Sequence, residues 1–205
     1  NWFISDAMMG RLSLAKQIPY AFSSALGMFS NIFASSLTIS FAKDGNNGLI
    51  EETKGQLKTL TLIFTVPYAG VFIFGKSFLA LWLGNTTYTD NQIKSIYVLM
   101  IIILIDIIVS TYMYSIHSIF IALDKVRIYS VILIIAGCIS SVTTIILLNT
   151  TSLGLYAIAG TSTVVLGVAH GIIVPAFAAT LLNTNISTFW KSELRSWILF
   201  TVISL

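Results

Sequence analysis

Asp106 and His117 lie inside one long apolar run, with Ser110 and Tyr114 between them, four and eight residues after Asp106. At about 3.6 residues per turn these four side chains share one face of a helix. An ionisable group in the middle of a bilayer is costly unless it is solvated or paired, which makes it a functional candidate by default. Two readings are open for Asp106. It binds and releases a coupling proton, with His117 as a second candidate for the same work, or it bonds to a neighbouring hydroxyl and serves packing alone. His170, next to Gly171 and five residues before Pro175, reads as a packed, hydrogen-bonded histidine.

A second set of polar residues offers uncharged chemistry. Tyr20, Ser24, Gly27, Asn31, Ser35 and Thr38 fall within about 80° of arc on one helix. Hydrocarbon supplies no partner for a hydroxyl or amide, so this edge is expected to face protein or a water-filled cavity. Ser130, Gly137, Ser141 and Thr144 make a similar stripe, with Ser141 and Thr144 as cavity candidates. Gly160, Gly167, Gly171 and Ala178 form a small-residue edge that predicts close helix packing.

The elements that must position these groups are apolar runs near residues 18–42, 59–83, 95–123, 128–148 and 153–182, with a sixth beginning at 197–205. A spanning helix needs about 20 apolar residues. The chain is 56% hydrophobic and only 9% charged, and its mean hydropathy is +0.91. Soluble domains carry about a quarter charged residues. The expected fold is therefore all-α, a polytopic transmembrane helix bundle of five complete helices and the start of another, forming one domain over residues 1–205. The chain ends inside an apolar run and reads as a piece of a longer protein.

Charge gives the expected orientation. Lys43, Lys54 and Lys58, then Lys125 and Arg127, then Lys191 and Arg195 occupy the first, third and fifth gaps, whereas the second holds only Lys94 and the fourth no base. The positive-inside rule places the first, third and fifth gaps in the cytoplasm. Arg11 and Lys16 depart from it by preceding the first full run on the outer side. Asp44-Gly45-Asn46-Asn47-Gly48 is expected to separate the first helix from a short polar segment, Leu49–Lys58, lying along the membrane surface. Pro67 and Pro175 are expected to kink their helices, and Pro19 to occupy a first turn. Lys76 either snorkels to the interface or meets an anionic substrate.

Several function classes lose support at this point. The formal charge of +3 resides in loops, which suits lipid headgroups and orientation better than nucleic acid. The lone Cys138 forms no internal disulfide and has no Cys/His cluster to make a metal site. No GxSxG, P-loop, HExxH or paired-cysteine motif is present, so neither an enzyme nor a cofactor is expected.

The order of signals resembles the second half of bacterial polysaccharide repeat-unit flippases (O-antigen and capsule, Wzx-type), members of the multidrug/oligosaccharidyl-lipid/polysaccharide exporter superfamily. The matching stretches are Ser5-Asp6-Ala7-Met8-Met9-Gly10, Val66-Pro67-Tyr68-Ala69-Gly70, Leu81-Trp82-Leu83-Gly84, and Ile119-Phe120-Ile121-Ala122-Leu123-Asp124-Lys125. To these are added Thr151-Ser152-Leu153-Gly154-Leu155-Tyr156-Ala157-Ile158-Ala159-Gly160, Val174-Pro175-Ala176-Phe177-Ala178-Ala179 and Thr188-Phe189-Trp190. The resemblance implies a MATE-like fold of two helix bundles in a bacterial plasma membrane. It implies transfer of an undecaprenyl-pyrophosphate-linked oligosaccharide between leaflets, with H+ or Na+ as the coupling ion and membrane lipids as surroundings. Under it, Tyr20, Ser24, Asn31, Ser35, Thr38, Ser141 and Thr144 would line the sugar passage, and Arg11, Lys16 and Lys76 would meet the pyrophosphate. The stripes here are mostly uncharged, a departure from a cation-lined passage. The alternatives are a multidrug or cation antiporter of the same superfamily, a peptidoglycan-precursor flippase, a membrane-bound glycan polymerase or acyltransferase, and a non-transporting scaffold.

Overall fold

The computed structural model describes residues 5–84, 88–191 and 198, leaving aside the side chains of Ser30, Asn31, Thr61, Tyr112 and Met113. The sixth run expected from Trp197, apart from Ile198, and the turn at Asn85-Thr86-Thr87 lie outside the described residues. The described chain is helical and without strands: α1 (Asp6–Leu83), α2 (Asp90–Ala122), α3 (Val126–Thr150) and α4 (Leu155–Leu181). All four are long and apolar enough to cross a membrane. Helices suit that setting because they satisfy their own backbone groups where water is absent.

α1 is two antiparallel arms joined at a single residue. Gly45 leaves the helical region at φ 58°, ψ −140°, a conformation that side chains with a Cβ rarely adopt. Contacts between the arms pair residues about equally far from Gly45. Ser36 Oγ donates to Glu52 Oε1 at 2.5 Å, and Gln56 Nε2 donates to the Phe33 carbonyl at 3.1 Å. Farther out, Phe29 packs edge-on against Phe64 and Phe22 against Tyr68. Gly48 fits directly onto the first arm, since a Cβ there would lie 2.3 Å from the Ser40 carbonyl oxygen. The two arms of α1 with α2, α3 and α4 coincide with the five apolar runs expected from the sequence.

Three expectations are corrected here. The segment Leu49–Lys58 does not lie apart along a surface but forms the first turns of the second arm. Leu49, Thr53, Gln56 and Leu57 are buried there, while Glu51 and Lys54 pair on its outer side at 2.6 Å. Arg11 and Lys16 do not precede the first helix but belong to it, because Ser5 caps α1 through the Met8 amide and helix continues from Asp6. Pro19 consequently lies in a helix interior, not a first turn.

The remaining connections are short and conventional. Thr89 and Gln92 form a reciprocal capping box at the start of α2. α2 and α4 end on Asp124 and Asn183, both at positive φ (53° and 51°), a conformation that short polar side chains tolerate. The amides of Lys125 and Thr184 return to the carbonyls of Phe120 and Ala179, closing the last turns.

Packing divides into two apolar clusters. Leu37, Leu49, Phe120, Val174 and Phe189 bury one another at the hinge end, near Gly45. Leu12, Leu26, Tyr68, Leu79, Met100 and Leu155 do so farther from it. α3 contributes little to either: Ala136 is its one buried residue, and Val131, Ile134, Ile139 and Val142 are exposed apolar side chains. Such a face suits contact with hydrocarbon. The small-residue edge of α4 packs closely over only part of its length. An added Cβ at Gly160 or Gly167 would meet nothing within 4 Å, whereas one at Gly171 would touch Val109 of α2 and Ala178 is fully buried.

Candidate functional site

The face of α2 singled out by spacing opens on a cavity of about 410 Å³. Asp106, Ser110, Tyr114 and His117 line it from α2, Lys16, Tyr20 and Ser23 from the first arm of α1, Tyr129 from α3, and Ser162, Thr163 and His170 from α4. Along α2 the cavity runs from Ile103 to His117, about 20 Å at about 1.5 Å per residue. Its volume falls within the range of small-ligand pockets. Tyr20 remains 53% exposed, so the cavity has a mouth beside the first arm.

Hydrogen bonds between helices fix this wall. Ser110 Oγ and His170 Nδ1 are 3.1 Å apart across α2 and α4. Thr163 Oγ1 donates to the Ile102 carbonyl at 3.0 Å, tying the same two helices nearer the other end. Behind the cavity, Tyr68 OH and Thr111 Oγ1 meet at 2.7 Å. Because Thr111 also donates its one hydroxyl proton to the Ile107 carbonyl, Tyr68 is the donor in that pair. His117 stacks against Tyr129 with ring centroids 4.3 Å apart, and the Lys16 ammonium lies 5.8 Å from the Tyr20 ring centre.

His170 reaches the cavity from a distorted turn. Residues Ala169–Ile173 form a π-turn, with the Val174 amide bonded to the Ala169 carbonyl. Pro175 follows, with no N–H to offer the carbonyl four residues back and a ring that crowds it, so the preceding turn widens. Two polar atoms facing this region have no partner among the described residues: Asp106 Oδ1 and His170 Nε2, both buried. A buried polar atom without a partner is costly. The reading in which a neighbouring hydroxyl simply satisfies Asp106 does not hold at Oδ1.

The other candidates lie elsewhere. Ser24, Ser35, Thr38 and Ser141 are exposed and donate to carbonyls of their own helices, at Tyr20, Ile32, Ala34 and Gly137. Thr144 is half-buried on α3 and borders no part of the cavity, and the Asn31 side chain lies outside the described residues. Of the three cations, only Lys16 enters the cavity; Arg11 is half-buried without lining it, and Lys76 is exposed on the second arm. Reasoning from sequence missed that His170, Ser162 and Thr163 line the same cavity as Asp106. The pairing of hydroxyls with a histidine on facing runs was its only trace.

No protein-family model matches the chain. No characterised protein and no solved structure is detectably similar to it. The fold and the cavity define a helical membrane protein with a polar pocket inside its bundle.

Proposed function

We propose that this chain forms part of a transporter that carries lipid-linked oligosaccharide repeat units across a bacterial plasma membrane, and that the cavity belongs to its passage. The observation that carries the reading is the cavity itself: ionisable and hydroxyl-bearing side chains gathered within membrane-spanning helices. Nothing about packing requires that expense, whereas transport does. Ser23, Ser110, Ser162, Tyr20, Tyr114 and Tyr129 offer exchangeable hydrogen bonds suited to sugar hydroxyls. Lys16 is the cation placed to meet a phosphate group. The apolar exterior of α3 suits a lipid tail that stays in hydrocarbon while the head group crosses.

A second reading, a cation antiporter, is favoured by one feature. The Tyr20, Tyr114 and Tyr129 rings and the Asp106 carboxylate share the cavity, a combination that attracts organic cations. Complementation separates the two. The full-length gene, placed in a bacterium lacking its repeat-unit flippase, should restore surface polysaccharide without conferring efflux of cationic dyes. Dye efflux without polysaccharide would replace the first reading by the second.

A further inference from the structure

We infer that Asp106 and His170 together form one proton-binding site, shared between α2 and α4 in the wall of the cavity. Three independent features converge on it. Asp106 Oδ1 and His170 Nε2 are each buried without a hydrogen-bond partner among the described residues, and both residues line the same cavity. One is an obligate acceptor when ionised, and the other donates or accepts according to its tautomer. Ser110, one turn beyond Asp106 on α2, holds His170 through Nδ1, which leaves Nε2 as the atom free to exchange a proton. The π-turn at Ala169–Ile173 sets the ring in this position, and such turns recur at functional sites.

The surroundings favour a proton over a metal cation. The charged and titratable groups lining the cavity are Lys16 and Tyr20 from α1, Tyr114 and His117 from α2, Tyr129 from α3, and the pair itself. No cluster of three or more metal-ligating acids, histidines or cysteines exists among the described residues. His117 packs against Tyr129 with the two rings tilted by 41° and therefore stands apart from the exchanging pair. Asp106 has no ion-pair partner within 4 Å here, the Lys54–Glu51 contact being the one salt bridge among the described residues. Lys16 is thus available as a movable counter-charge that favours release of the proton. The inference rests on the reading of the cavity as a passage, but its test does not pass through export.

The test is carbodiimide labelling of Asp106 in membrane vesicles carrying the full-length protein, read by peptide mass spectrometry as a function of pH. A hydrophobic carbodiimide adds to a protonated carboxylic acid, so labelling reports occupancy of the site. Labelling should fall over a defined pH range and be indifferent to sodium. His170→Gln removes the competing base and donor, and should move the midpoint upward by about one pH unit, as loss of a nearby charge-stabilising group does. His117→Gln should leave the midpoint in place. A thermal unfolding temperature in detergent close to that of the unmodified protein shows that the helices remain assembled in His170→Gln. Suppression by sodium at fixed pH and ionic strength would overturn the inference in favour of a metal-cation site. A midpoint that follows His117 instead of His170, or no pH dependence at all, would overturn it as well.

Discussion

Ser110 Oγ and His170 Nδ1 meet at 3.1 Å, sixty residues apart in sequence, and that bond holds the imidazole in the wall of the cavity that Asp106 also lines. Ser110→Ala should therefore release the ring without removing it. A net hydrogen bond is worth about 1 kcal/mol, so thermal stability in detergent should fall slightly. Transport, measured as surface polysaccharide in the complemented strain, should fall much more. A stability loss with unchanged transport would make the bond a packing contact only.

Asp106→Asn keeps the size and polarity of the side chain and removes its charge. Insertion and amount of protein in the membrane should be unchanged, while gradient-dependent export should drop by about tenfold or more, the equivalent of about 1.4 kcal/mol. Export at the native rate in the Asn variant would reduce Asp106 to a structural residue.

Lys16 and Lys76 offer a paired comparison, since only Lys16 lines the cavity. Lys16→Gln should impair export and Lys16→Arg should preserve much of it. Lys76→Gln, on the exposed second arm, should have little effect. Export assays on matched amounts of protein give the answer, and equal effects at both positions would remove Lys16 from the path.

The hinge of α1 has its own signature. Gly45→Ala forces a Cβ into a conformation that costs about 1–3 kcal/mol. Gly48→Ala places a Cβ 2.3 Å from the Ser40 carbonyl oxygen, so the arms must separate. Gly27, where a Cβ meets nothing within 4 Å, is the control within the same helix. Thermal unfolding should rank Gly27→Ala as mildest.

Much of the architecture was legible in the sequence. Apolar run length marked the long helical segments, and the Asp44–Gly48 cluster marked the first turn. The continuous helix through Leu49–Lys58 was not legible, because its charges suggest a surface segment. Yet those charges occupy only the outer side, and Thr53, Gln56 and Leu57 pack on the first arm. The face from Asp106 to His117 could be read from spacing within one helix, whereas His170 could not be assigned to it without knowing which side of α4 meets α2. Polar stripes were the least reliable guide. A helical Ser or Thr can donate to a carbonyl one turn back, as Ser24 and Ser141 do, so a hydroxyl on an apolar helix does not by itself demand a neighbour. Small residues carried the same ambiguity at Gly160 and Gly167, where a Cβ would meet nothing within 4 Å.

The account depends on water reaching the middle of the bundle beside Asp106. Single cysteines at Ser23 and Ser162, which line the cavity, and at Ile134 and Val142 on the apolar exterior of α3, test this directly once the exposed native Cys138 is replaced by alanine. In membrane vesicles, a charged, water-soluble thiol reagent should modify the Ser23 and Ser162 positions and spare the α3 positions. Cavity cysteines as unreactive as those on α3, in vesicles of both orientations and with or without an imposed gradient, would contradict it.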